Sequence, residues 1–223
     1  MRLTVRTRSC NPELYEKMRS FIPESVECIA HTAYDDWTGA ATFLHDAIDM
    51  TDGMLLICDE DAFITQWSAV QWLATHLSHS NFIFCGVPDG ATIPHRSWSF
   101  ISANPSFVIF DCDKIKKAKG ELSWDEIDKF DFDPSMDRYK PYFLTGNYNH
   151  GHGEPFNGLF YWLVTIGVPL YLNGETLGDG LTTAIKGAHG QTICYHSWMS
   201  RDKSESNQAR IQKIYELALK QKL

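Results

Sequence analysis

The chain lacks the features that would place it in a membrane or make it a disulfide scaffold. No apolar run approaches the ~20 residues that span a bilayer, and the opening residues Met1-Arg2-Leu3-Thr4-Val5-Arg6 hold no apolar stretch of signal-peptide length. A soluble, cytoplasmic protein with no transmembrane segment is therefore expected. Cysteine is sparse: the six at positions 10, 28, 58, 85, 112 and 194 form no Cys-x-x-Cys unit. Cys58, Cys85 and Cys112 fall inside apolar runs, as reduced core thiols do. Positive charge is in deficit, with 20 Lys+Arg against 28 Asp+Glu and a formal net charge of -8, which disfavours non-specific attraction to nucleic acid. Internal repeats and low-complexity tracts are also missing.

What is present is an alternation of short apolar runs and amphipathic stretches, the pattern of βα units on a mostly parallel sheet. A length of 223 residues suits one domain with its own core. Strands are expected at 3–7 and 26–30, with a helix between them that Asn11-Pro12 starts and Pro23 ends. A second helix over 40–50 carries Phe43, Ala47 and Ile48 on one face and stops at Asp52-Gly53. Met54-Leu55-Leu56-Ile57-Cys58 is apolar throughout, as a strand buried on both faces is. A third helix at 66–77 and a strand at 81–85 follow, then a Pro- and Gly-rich loop at 86–94. The second half holds a strand at 106–111, a polar acidic stretch at 121–138 and a Gly/His/Asn loop at 145–153. It continues with an apolar helix at 155–166, strands at 169–172 and 192–195, and a polar terminal helix from about 204 to 219. Asp179-Gly180-Leu181-Thr182-Thr183 reads as a helix start, with Asp or Thr as N-cap. Seven Trp exceed what packing a chain of this length requires, and surplus Trp suits a site that holds sugars or flat rings.

The apolar run at 54–58 ends directly in Asp59-Glu60-Asp61, at the carboxyl end of a central strand. In open α/β sheets ligands bind along that edge. Two carboxylates one residue apart can each turn an oxygen toward one cation while the side chain between them faces away, a donor set suited to Mg2+ or Mn2+. Ala62-Phe63-Ile64 follows, so the acids interrupt an apolar stretch in which unpaired carboxylates are costly. A divalent ion there would bridge the protein to phosphate oxygens and explain how an acidic chain takes an anionic donor. A solvated turn after a strand is the competing reading.

Residues 39–61 resemble the helix, short break and DxD strand of the GT-A glycosyltransferases, and the resemblance covers most of the chain. Residues 153–174 resemble the acceptor-side helix and the strand after it, and Tyr195-His196-Ser197-Trp198-Met199-Ser200-Arg201 resembles a C-terminal HxW(Y)SR signature found in a group of these enzymes. The resemblance implies a single α/β domain of GT-A type, Rossmann-like, its mostly parallel sheet flanked by helices. It divides the chain into a nucleotide-sugar half, 1–112, and an acceptor half, 113–223. The implied activity is metal-dependent transfer from a nucleotide-diphosphate sugar, a UDP-sugar before others, to an acceptor hydroxyl. Asp59, Asp61 and His196 would hold Mn2+ or Mg2+, with Asp59 also facing the donor and Arg201 contacting the diphosphate. Thr7, Arg8, Asp35 and Asp36 fall where base and ribose contacts lie, and Trp98 and Asn104 near the sugar. In glycosyltransferase family 2 the acceptor helix opens with an acidic pair, one member of which is the base; here the pair is Glu154-Pro155, with one carboxylate. Asp179 is the alternative base. The acceptor stays open among a glycan, a lipid-linked sugar, a protein side chain and a modified DNA base.

Blander roles compete for several of these residues. His196 can be a core histidine bonded to backbone, Trp98 a packing plug and Asp179 a cap. Asn149-His150-Gly151-His152-Gly153 can be a lid or a second metal site. Among other functions, a nucleotidyltransferase also uses a strand-end acid pair, but it carries a Gly-rich, basic N-terminal loop that residues 3–17 lack. A binding protein that keeps the fold without turnover is the alternative outside enzymes.

Overall fold

Asn11 and Pro12 set the first helix as the sequence leads one to expect: the Asn11 side chain accepts from the Leu14 amide at 3.3 Å and Pro12 takes the first turn. A computed structural model describes residues 2–34, 36–89, 99–145, 148–151 and 153–222. In chain order its elements begin β1 (Leu3–Arg8), α1 (Pro12–Arg19), β2 (Cys28–His31), α2 (Gly39–Asp49), β3 (Met54–Cys58), β4 (Ala62–Ile64), α3 (Trp67–Ser78), β5 (Phe82–Pro88) and β6 (Ala103–Asp111). They continue with α4 (Cys112–Lys119), α5 (Trp124–Ile127), a 3-10 helix (Pro134–Tyr139), α6 (Asn157–Ile166), β7 (Val168–Tyr171), β8 (Gly174–Thr176), β9 (Thr182–Lys186), β10 (Thr192–Ser197) and α7 (Glu205–Gln221).

Six strands form the central sheet in the order β2-β1-β3-β6-β5-β7. β1 runs parallel to β2 and β3, β5 runs parallel to β7, and β6 alone is reversed between β3 and β5. The sheet is thus mostly parallel and the architecture mixed α/β. Because β6 is reversed, its first residues meet the last residues of β3, with Cys58 opposite Phe107 and the Asp59 amide donating to the Ser106 carbonyl at 3.2 Å. The pleat divides the core. Met54, Leu56, Cys58, Phe107 and Ile109 face α1, α3 and α7, while Leu55, Ile57, Val108 and Phe110 face α2, α4 and α6. Every β3 side chain is buried, which is why that run carries no alternation.

A second sheet, β4-β10-β9-β8, is antiparallel throughout. Sequence patterning missed most of it. The apolar tail of the acidic triplet is β4, and the expected helix start at 179–183 is a turn leading into β9. The Asp179 carboxylate accepts there from the amides of Leu181 (3.0 Å) and Thr182 (2.9 Å) and from the Thr182 hydroxyl (2.6 Å). That is N-cap chemistry, but Thr182, Thr183 and Ile185 are β-branched and pair with β10, so the ladder prevails over the cap signal. Helix α5 formed inside the stretch at 121–138 expected to be polar, through a Ser123/Glu126 capping box, and α4 in the segment just before it, for which no element was expected. The end of α2 is held by Arg6, buried on β1, which donates to the Met50 carbonyl (2.9 Å) and the Thr51 hydroxyl (2.9 Å); Gly53, at φ +79, then turns the chain into β3.

Six thiols are free, Cys10 exposed, Cys28 half-buried and the other four buried. No helix among the described residues is long and apolar enough to cross a membrane.

At the start of α6, a Cβ on Gly158 would lie 2.2 Å from the Asp128 carbonyl oxygen, whereas one on Gly178 would meet nothing within 4 Å. Gly158→Ala is expected to cost about 1–3 kcal/mol by overpacking, and Gly178→Ala to stay within about 0.5 kcal/mol of the parent. Urea denaturation midpoints check both; equal midpoints for the two variants would mean that α6 can move away from α5.

Candidate metal centre and ligand cleft

The triplet after β3 splits three ways. Glu60 turns into the protein and is 4% exposed; its carboxylate accepts from the Ser9 hydroxyl (2.7 Å), the Asn11 amide (2.9 Å), the Cys10 amide (3.1 Å) and the Cys10 thiol (3.3 Å). This fastens the triplet to the turn between β1 and α1, where a carboxylate also suits the helix N-terminus. Asp59 and Asp61 face the other way, as the one-residue spacing predicts.

Their third companion arrives through the second sheet. β10 pairs with β4 so that His196 lies opposite Ala62, and the Ser197 amide donates to the Asp61 carbonyl at 3.0 Å. One ligand atom each from Asp59, Asp61 and His196 lie within 4.8 Å of one another, and His196 Nε2 stands 3.5 Å from Asp61 Oδ1. Asp61 and His196 are each 4% exposed, and Asp61 Oδ1 is buried with no hydrogen-bond partner among the described residues. Two carboxylate oxygens and an imidazole nitrogen are a fitting donor set for Mn2+ or Mg2+, and an orphaned buried carboxylate oxygen is what a cation would satisfy. The expected ligand set is thus brought together in space. Burial, with the Asp61 charge beside it, pushes the Asp59 carboxyl up to about 6, while Arg8 and His196 act in the opposite direction.

The three residues line a cleft of about 340 Å³ at the carboxyl edge of the central sheet, within the size range of small-ligand sites. Arg8 enters it from the end of β1, Asn104 from the start of β6, Glu154 from ahead of α6, and Arg201 from the segment after β10. Asn104 is partly engaged already, its amide donating to Asp89 (2.6 Å) and its carbonyl oxygen accepting from the Ser106 amide (2.9 Å).

Other expected residues lie elsewhere. Thr7 is buried in β1 opposite Ala30, outside the cleft. The Asp36 carboxylate accepts from the Gly39 amide and the Thr38 hydroxyl at the start of α2 and does not line the cleft, although its carbonyl accepts from Arg8 at 3.5 Å. Asp179 is also outside, committed to its turn. Asp35 and Trp98 lie outside the described residues. In the loop at 148–151, His150 stacks on Phe132 (3.8 Å between centroids, 10° between planes) and meets the edge of Phe100, and burial lowers its pKa. It is a packed, neutral ring; His152 lies outside the described residues.

The cleft also holds residues to which no role was given in advance: Trp37, Pro105, Phe156, Trp198 and Met199. Trp198 leans on the His196 ring (4.4 Å between centroids) and donates from Nε1 to the Thr183 hydroxyl at 2.9 Å. Its place in the Tyr195–Arg201 motif was the available signal. Met199 has φ +66, a left-handed conformation that no sequence pattern announces in a methionine.

The raised carboxyl sets a pH window. Between its ordinary value of 3.8 and about 6 the folded chain binds a proton that the unfolded chain does not, so metal-free stability falls as pH rises through that window. Asp59→Asn should therefore stabilise the metal-free protein at pH 7, by up to about 3 kcal/mol, while removing any stabilisation by Mn2+, and the Mn2+-induced rise in the parent's melting temperature should shrink below pH 6, where the ligand is protonated. Thermal melts at pH 5 and 7.5, with and without Mn2+, decide the matter; a destabilised metal-free Asp59→Asn protein would contradict it.

No family model matches the chain, and no curated protein matches it. Among solved structures it is similar to A197 from STIV, at 12% identity and a TM-score of 0.47 over 92% of this chain and 100% of that one. It is also similar to a glycosyltransferase involved in the glycosylation of the major capsid of PBCV-1, at 12% identity and a TM-score of 0.37 over 67% of this chain and 80% of that one.

Proposed function

We propose that the chain is a metal-dependent glycosyltransferase that takes a nucleotide-diphosphate sugar, a UDP-sugar before others, and moves the sugar to an acceptor hydroxyl. The observation that carries this reading is the convergence of Asp59, Asp61 and His196 on one point at the carboxyl edge of the sheet, with Asp61 Oδ1 lacking a hydrogen-bond partner among the described residues. When bound, Mn2+ or Mg2+ would join these residues to the diphosphate and offset the charge on the departing nucleoside diphosphate.

The chain's own groups divide the remaining work. Arg8 and Arg201 bring guanidinium groups to the same cleft, and such groups pair bidentately with phosphate oxygens. Glu154, ahead of α6, is the carboxylate on the acceptor side and takes the proton of the acceptor hydroxyl; Asp179, held by three donors in its turn, leaves that role to Glu154. The second amide hydrogen of Asn104 remains for a sugar hydroxyl. Trp37, Phe156 and Trp198 supply apolar faces against which flat or ring-shaped groups pack. Residues 1–112 would hold most of the donor and residues 113–223 the acceptor, with His196 and Arg201 reaching across to the donor side.

A nucleotidyltransferase reading fits less well for a local reason. The amides of Cys10 and Asn11, at the turn where a triphosphate would seek backbone donors, already donate to Glu60.

A panel of nucleotide sugars screened for Mn2+-dependent release of nucleoside diphosphate tests the proposal. One donor should turn over; Asp61→Ala should reduce the rate at least about 100-fold, and Glu154→Gln should lower kcat by about 100-fold or more with little change in donor KM. Absence of turnover and of thermal stabilisation with every donor, or an Asp61→Ala protein as active as the parent, would refute it.

A further inference from the structure

The segment that carries His196 and Arg201 into the cleft is gripped from behind by one helix. Arg210, in α7, has a side chain only 13% exposed. Its Nη1 donates to the Ser197 hydroxyl (2.9 Å), the Leu181 carbonyl (3.1 Å) and the Thr182 hydroxyl (3.2 Å). Its Nη2 donates to the Trp198 carbonyl and to Asn207 Oδ1 (2.6 Å), and Nε donates to Asn207 Oδ1 as well (3.1 Å). Asn207, itself 6% exposed, donates from Nδ2 to the carbonyls of Met199 (2.7 Å) and Asp202 (2.8 Å). The Asp179 carboxylate stands off at 3.9 Å from Nη1.

A guanidinium is costly to bury, and the usual compensation is a carboxylate in bidentate contact. Here its donors go instead to two backbone carbonyls, two hydroxyls and an amide oxygen. The carbonyls of Trp198 and Met199, held by Arg210 and Asn207 respectively, bracket the left-handed turn at Met199. A methionine stays in that conformation when its surroundings fix the peptides on either side of it. The turn lies between His196 at the end of β10 and Arg201 at the rim of the cleft. Arg210 lines no part of that cleft.

We propose that Arg210, with Asn207, is a positioning pair for the metal and phosphate side of the site: it fixes the turn at Met199, and through it the places of His196 beside Asp61 and of Arg201 at the rim. This rests on the metal-dependent reading of the cleft. Lysine in its place would keep the charge but not the planar fork that reaches Ser197, Trp198 and Asn207 together.

The test uses the full chain with Arg210→Lys and Arg210→Gln. In metal-free protein, hydrogen exchange at the amides of Ser197 and Trp198, which donate to Asp61 and Leu181, should accelerate at least tenfold while the amides of β1 and β3 stay as in the parent. By calorimetry both variants should bind Mn2+ about tenfold more weakly than the parent. The same substitutions in a His196→Ala background should change affinity less than twofold, because the effect travels through His196. Unchanged exchange at 197 and 198, acceleration spread evenly over the fold, or an equal loss of Mn2+ affinity with and without His196 would each overturn the proposal. If the parent itself binds no Mn2+, the metal reading fails, and the exchange pattern alone decides whether Arg210 positions the segment. Should Arg210→Gln fail to fold, Arg210→Lys carries both measurements.

Discussion

Between β4 and β10 three residue pairs form, Ala62 with His196, Phe63 with Tyr195 and Ile64 with Cys194, and that short ladder closes the site. Side chains alternate across a strand, so a slip of one residue in the register would send His196 to the opposite face and bring Tyr195 or Ser197 toward Asp61. The register is held from both sides. Phe63, Ile64, Cys194 and Tyr195 are buried in the core beneath α1, α3 and α7, and the Ser197 amide donates to the Asp61 carbonyl one step beyond the ladder. The second sheet therefore has a chemical consequence as well as a structural one: it brings a residue near the end of the chain to the edge of a strand formed near its start.

Three consecutive acids then carry three different burdens. Glu60 receives four donors and is the anchor. Asp61 is as deeply buried but keeps one oxygen without a hydrogen bond among the described residues, and Asp59 beside it is pushed toward its neutral form. A buried carboxylate with satisfied hydrogen bonds contributes to the fold, whereas one without them destabilises it by the desolvation of that group. The anchor and the destabilised pair are covalent neighbours, so Glu60 limits how far Asp59 and Asp61 can move apart to relieve their repulsion. The site keeps its geometry for that reason.

How much of this the sequence discloses depends on whether a feature is local. The apolar run at 54–58, the triplet after it, the Asn11-Pro12 helix start and the Gly53 stop are legible because each is set by residues within a few positions. Asp59, Asp61 and His196 were legible as a set through the motif at 195–201, which brings a ligand type into view but not its distance from the triplet. Of the second sheet only β10 was legible, as the strand expected at 192–195: β4 and β8 are three residues long each, too short for a period to emerge, and the pairing of β4 with β10 is remote in sequence. Asp179 shows the same limit from the other side. Its carboxylate accepts from the amides that follow it, as a helix cap would, but the expected helix is absent, because the segment pairs with β10, far along the chain. The buried roles of Arg6 and Arg210 were likewise invisible, since a cation in sequence gives no sign that its partners will be backbone carbonyls.

The charge arrangement follows from the same geometry. A chain of formal charge -8 places two arginines, Arg8 and Arg201, at the cleft and a third, Arg210, behind it. Their effects on the acid pair differ. Arg8 holds the Asp59 carboxyl down against burial, which favours the ionised form that a metal needs, whereas Arg210 is occupied with the turn at Met199. Cations close to the acids but short of a salt bridge leave the carboxylate oxygens available, since a tight bidentate pair with either arginine would satisfy Asp59 or Asp61 and remove the affinity for a divalent ion. The cleft is thus lined by both acids and arginines, and among the described residues neither Arg8 nor Arg201 forms an ion pair with Asp59 or Asp61. That is what distinguishes it from a structural salt-bridge network, in which the same residues would meet one another directly.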